Sequence, residues 1–142
     1  MNIHQITDNY FVTAQISTGD VQSILQAGFK AIICNRPDAE ISPSHQSEKI
    51  KKAALAAGLE FHNLPLTHQT MTEEIVSQQM AFSRLSGPVL AYCVTGTRCT
   101  VAWAIGSANE GEAPDVILST AQAAGYQLEG LRPTLDDIVS QR

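Results

Sequence analysis

Short apolar runs alternate with longer stretches whose apolar residues recur at helical spacing, and this alternation continues along most of the chain. Residues 3–6 and 10–14 flank the turn-forming pair Asp8-Asn9, which predicts an opening β-hairpin. Thr18 stands where a cap is expected, ahead of a helix with Val21, Ile24 and Leu25 on one face and Gly28 as its stop. Residues 29–34 are apolar except for Lys30, as in a strand covered on both faces. Pro37 pushes Arg36 away from helical angles, so Asn35-Arg36-Pro37-Asp38 reads as a loop at that strand's carboxyl end.

The same unit then recurs. Residues 44–57 predict a helix stopped by Gly58, and residues 61–66 a strand. Thr70 and Glu73 have the spacing of a capping box for a helix reaching residues 83–85. Residues 88–92 predict a strand, 93–98 a loop, and 100–108, 113–124 and 134–141 three further helices. Such βαβα alternation predicts one α/β domain spanning residues 1–142, with a central, mainly parallel sheet flanked by helices. Ligands of open parallel sheets bind beyond the carboxyl ends of the strands. Three loops qualify, at residues 35–40, 67–71 and 93–98, and only the last contains a nucleophile.

Composition narrows the functional classes. A chain of 142 residues with 44% hydrophobic content builds one core and is too apolar for disorder. Nine Lys and Arg against fourteen Asp and Glu leave a net charge of −5, without the basic surplus that nucleic-acid binding requires. Three unevenly spaced cysteines fit neither a disulfide framework nor a paired zinc site, so at least one thiol is free. No run approaches the ~18 apolar residues of a membrane span. The start, Met1-Asn2-Ile3-His4, lacks the regions of a signal peptide, and a cytoplasmic location is expected.

Cys93-Val94-Thr95-Gly96-Thr97-Arg98 joins a buried strand to a helix through a short turn. That junction aims successive backbone N–H groups and the positive end of a helix into one hollow, where an anion is expected on Val94, Thr95, Gly96, Thr97 and Arg98. Gly96 allows close backbone approach, and Arg98 can place two N–H groups on two oxygens of a phosphate or sulfate. The same field favours thiolate at Cys93, because helix-terminal cysteines titrate at ~3.5–7.5. Cys93 is therefore the candidate nucleophile and Arg98 the candidate clamp; the bland alternative is a small strand-end hydrophobe beside a solvated arginine.

These residues carry a resemblance. The loop resembles that of cysteine-dependent phosphatases, with four residues between Cys93 and Arg98 where five are usual; four is the spacing more common in rhodanese-type sulfurtransferases. Four stretches are similar, in order, to a bacterial family of dual-specificity-phosphatase-like domains, some fused to β-lactamase-fold hydrolases. They are Tyr10-Phe11-Val12 with Gln15-Ile16; Ala27-Gly28-Phe29 through Asn35-Arg36-Pro37-Asp38; Leu64-Pro65-Leu66; and Pro88 through Cys93 with Gly96-Thr97-Arg98. The resemblance implies a dual-specificity-like fold with Cys93 as nucleophile and Arg98 as phosphate clamp. Two positions depart from the family's habit of an arginine after the nucleophile and a serine after the clamp: here they are Val94 and Cys99. Thr100, Thr95 or Thr97 could supply the hydroxyl that helps the thiolate leave.

Phosphatases of this kind place an acidic aspartate after the strand matching residues 61–66, where this chain reads Thr67-His68-Gln69-Thr70. His68 is one candidate acid, with an unperturbed pKa of ~6.5; a solvated loop histidine is the alternative. Asp38 and Glu40 are others, although Asp after Pro commonly builds a turn. Glu73, Glu74, Asp136 and Asp137 suit helix starts. His4, His45 and His62 have no metal-site spacing, so neither a metal nor another cofactor is expected. Cys34 and Cys99 are candidate redox partners of Cys93 or inert buried thiols, and Trp103 with Val101 and Ile105 reads as core. The leading expectation is hydrolysis of a phosphate monoester, on a small molecule or phosphoprotein, through a phosphocysteine. Sulfur transfer through a Cys93 persulfide and a non-catalytic oxyanion-binding module stand as alternatives. Natural substrate and oligomeric state stay open.

Overall fold

The computed structural model describes all 142 residues. β1 (His4–Gln5) and β2 (Tyr10–Thr13) form the expected antiparallel hairpin, with His4 opposite Val12. β2 continues into a parallel sheet with β3 (Ala31–Cys34), β4 (Glu60–Asn63) and β5 (Val89–Tyr92), in the spatial order β1-β2-β5-β3-β4. β5 is therefore central among the parallel strands, paired with β2 on one side and β3 on the other.

Period-two alternation divides this sheet into two faces. Ala31, Ile33, Val89, Ala91 and Cys93 join one core; Ile32, Cys34, Leu90 and Tyr92 join the other. The first core is covered by α3 (Glu73–Phe82), α4 (Thr97–Asn109), α5 (Pro114–Ala123) and α6 (Arg132–Ser140), and Trp103 lies in it as expected. The second is covered by α1 (Val21–Gln26) and α2 (Ser47–Ala56). Both faces being covered explains why residues 29–34 and 88–92 read as continuous apolar runs. Ile32 and Leu90 are fully buried, and truncating such a side chain to alanine costs about 2–5 kcal/mol.

Several boundaries differ from the sequence expectation, each for a local reason. Ser17, not Thr18, opens the 3₁₀ turn before α1, and Asp20 Oδ2 accepts from Ser17 N and Oγ. The Thr70–Glu73 box is not formed: the Thr70 hydroxyl is used within the 67–70 turn, accepting from Thr67 N at 2.9 Å. Thr72 caps α3 instead, its Oγ1 accepting from Ile75 N. Residues 43–45 form a separate 3₁₀ turn, because Gln46 is extended and α2 starts after it. β4 ends at Asn63, but Leu64 N and Leu66 N still donate to Cys34 O and Asn35 O, so the chain stays bound to β3. α4 begins at Thr97, three residues earlier than expected, which places Arg98 and Cys99 in its first turn.

Candidate active site

The loops at residues 35–40, 67–71 and 93–98 follow β3, β4 and β5, so the sheet brings them to one edge. Cys93 ends the β5 run, its N–H donating to Thr13 O at 3.4 Å, and its side chain is buried. The chain then turns at Gly96, whose φ of 91° is a left-handed conformation that glycine adopts without strain. Gly96 N–H donates to Cys93 Sγ at 3.2 Å. Thr95 and Thr97 are exposed and share a 2.8 Å hydroxyl contact, while buried Thr100 Oγ1 donates to Gly96 O at 2.8 Å.

Cys93 is held well below an ordinary thiol, at about 5. The largest cause is a hydrogen bond from the Cys99 thiol; burial opposes it, and the N–H groups of Cys99, Gly96 and Thr95 add to it. Short-range donors thus favour the thiolate. Cys99 is pushed the other way, well above its usual range, by burial and by donation to Cys93. Cys34 belongs to the opposite core face, where its thiol contacts Arg36 O at 3.4 Å. Of the two candidate partner thiols, Cys99 shares the core face of Cys93.

Arg98 is turned onto acceptors of the protein itself. Its guanidinium donates to Glu40 Oε2 at 3.1 Å and Oε1 at 2.6 Å, and to Leu66 O at 2.7 Å. The same contact with Arg98 lowers the pKa of Glu40 and favours its ionised form. Asp38 stands at the start of α2, where Oδ1 accepts from Ser47 N at 2.8 Å and Oδ2 from Ser47 Oγ at 3.0 Å. His68 is exposed and lines a cleft of about 800 Å³ beside Arg98, with Met71, Val101, Ile105 and Leu131 as apolar walls. No three His, Cys, Asp or Glu side chains converge on one point.

Sequence reasoning missed the polar groups that hold this loop from behind. Asn35 Nδ2 donates to Leu64 O and to Gln79 Oε1, and Gln79 Nε2 donates to Asn35 Oδ1 and to Tyr10 Oη, all at 2.8–2.9 Å. Tyr10 Oη in turn donates to Cys99 O at 2.7 Å, fixing the first turn of α4. Tyr126 Oη donates to Thr95 O at 3.0 Å. These residues lie far from the loop in sequence and carry no local signature.

A central, mainly parallel sheet with an α-helix starting just beyond a cysteine-bearing strand end is the α/β architecture of dual-specificity and tyrosine phosphatases. Its solved neighbours include PTPMT1 in complex with PI(5)P, 15% identical with a TM-score of 0.70, covering 98% of this chain and 95% of that one. The chain belongs to the family described as beta-lactamase hydrolase-like protein, phosphatase-like domain, whose model matches residues 2–110. A beta-lactamase hydrolase-like protein of Agrobacterium fabrum is 33% identical over 112 residues, covering 78% of this chain. The chain spans about a quarter, 26%, of that relative's length. The crystal structure of a candidate phosphatase from Neisseria meningitidis is 37% identical, with a TM-score of 0.85, over 97% of this chain and 99% of that one. No helix is long and apolar enough to cross a membrane.

Proposed function

We propose that the domain hydrolyses phosphate monoesters through a phosphocysteine on Cys93. The observation that carries this reading is the hydrogen-bonded sulfur of Cys93 facing the amides of the 93–98 turn, with Arg98 in the helical turn that follows. In the proposed reaction the thiolate attacks phosphorus, the loop amides and Arg98 stabilise charge on the equatorial oxygens, and the ester oxygen leaves. Water then attacks the phosphocysteine and releases phosphate. Arg98 must exchange Glu40 for the substrate's oxygens, and Glu40 holds it near the hollow until then. With Asp38 and Glu40 committed elsewhere, His68 is the acid we assign to the leaving group. Among the residues lining the cleft Arg98 is the sole lysine or arginine, which suits a singly phosphorylated small molecule or phosphoprotein. A thiolate nucleophile functions in a reducing compartment, and the cytoplasm is the location we propose.

Steady-state hydrolysis of an aryl phosphate tests the reading. Wild type is expected to turn over, Cys93→Ser to lose activity, and His68→Gln to lose a factor of about 10²–10⁴ in kcat on esters with poor leaving groups. Wild-type protein that binds phosphate yet hydrolyses no ester would overturn catalysis and leave an oxyanion-binding module. The four-residue spacing between Cys93 and Arg98 favours sulfur transfer as a second reading. Thiocyanate formed from thiosulfate and cyanide, with no phosphate release, would decide for it.

A further inference from the structure

α5 ends in a Schellman motif: Gly125 N donates to Gln122 O and Tyr126 N to Ala121 O, both at 2.9 Å. Gly125 has φ 103°, the left-handed angle this ending requires. The motif fixes the backbone of Tyr126, which follows it directly. The ring packs edge-on against His4, centroids 5.2 Å apart, and Tyr126 is buried in the same core as Ala121 and Cys93. Its hydroxyl lies over Gly96, where an added Cβ would run into Oη, and it donates to Thr95 O at 3.0 Å.

The 95–96 peptide joins this hydroxyl to the nucleophile. A trans peptide is planar, with its C=O and N–H pointing in opposite directions, and this chain has no cis bond. The carbonyl end is Thr95 O, held by Tyr126; the amide end is Gly96 N–H, 3.2 Å from Cys93 Sγ. Rotation of this one plane would break both contacts together.

We propose that Tyr126 is a positioning residue of the anion loop, its hydroxyl holding the 95–96 peptide so that the Gly96 N–H is aimed at Cys93 and into the oxyanion hollow. The residue lies beyond the 2–110 stretch that the family model matches, so a segment outside that stretch braces the site. The inference rests on the reading of residues 93–98 as the phosphate site. Burial, with the nearby Cys99 and Cys93, raises the Tyr126 phenol to about 12, so it remains a donor at neutral pH.

Tyr126→Phe removes the hydroxyl and keeps the ring against His4. The pH dependence of Cys93 alkylation by iodoacetamide is the readout, with phosphate protection measured alongside and thermal unfolding as the check on folding. The alkylation midpoint is expected to rise by about one pH unit with phosphate protection weakened, because a hydrogen bond to the charged form is lost. An unchanged midpoint in folded Tyr126→Phe overturns the proposal. In wild type, the Gly96 amide resonance is expected to titrate with the same midpoint as Cys93 alkylation; an amide that ignores it overturns the proposal without any substitution. Wild-type Cys93 that is neither acidic nor protected by phosphate removes the phosphate-site reading itself, a result distinguishable from failure of the brace alone.

Discussion

At the scale of single residues, the two departures from the family habit have different consequences. Val94 is exposed at 41% and takes part in none of the hydrogen bonds that shape the loop. Cys99 differs in chemistry, because it places a thiol beside Cys93, the nucleophile we propose, where a hydroxyl is usual. Peroxide is expected to exploit the pair. The Cys93 thiolate attacks the O–O bond and is oxidised by two electrons to a sulfenic acid, while the leaving hydroxide takes a proton to become water. Cys99 sulfur then attacks the sulfenic sulfur; an S–S bond forms, the S–OH bond breaks, and water leaves with the thiol proton. Peptide mapping after mild peroxide should find Cys93 linked to Cys99 with Cys34 reduced, and Cys99→Ser should accumulate sulfinic acid at Cys93. A Cys34–Cys93 link, or wild-type Cys93 found only as sulfinic acid, would contradict the assignment from core faces.

At the scale of elements, the site is assembled from helix starts and strand ends. α4 brings Arg98 and Cys99 to the loop, and the Asn35–Gln79–Tyr10 relay ties its first turn to β3, α3 and β2. Asp38 serves α2 in the same way that Thr72 serves α3. Asp38→Ala should therefore destabilise the fold by about 1–2 kcal/mol in urea unfolding, the usual cost of a lost helix-start acceptor. If His68 is the acid, as we propose, the turnover of aryl phosphate and its pH profile should stay as in wild type; loss of the acid-dependent limb would assign the proton to Asp38 instead.

At the scale of the whole molecule, the buried thiolate links ionisation to stability. Cys93 titrates at about 5 in the folded chain against an ordinary 9.0, so between those values the unfolded chain holds the extra proton and stability rises with pH. This contribution is complete above the unfolded value and is lost as pH falls through about 5. Cys99, shifted upward, is neutral in both states until the unfolded thiol titrates, and adds no slope below that point. The stability difference between wild type and Cys93→Ala in urea should widen with pH by up to about 1.4 kcal/mol per unit; a difference flat with pH would mean that Cys93 is folded as a neutral thiol. The alternation of apolar runs determined the α/β class, the parallel sheet and the three loops at its carboxyl edge, because burial periodicity is written locally in the chain. The Cys93–Gly96–Arg98 turn was legible for the same reason: its parts lie within six residues. The partners of those residues were not. Glu40 on Arg98, Tyr126 on Thr95 and the place of Cys34 on the other core face depend on which strands neighbour each other and which way each side chain points. Hydrogen bonds between residues 31 to 58 positions apart leave no spacing in the sequence, so only tertiary packing decided them.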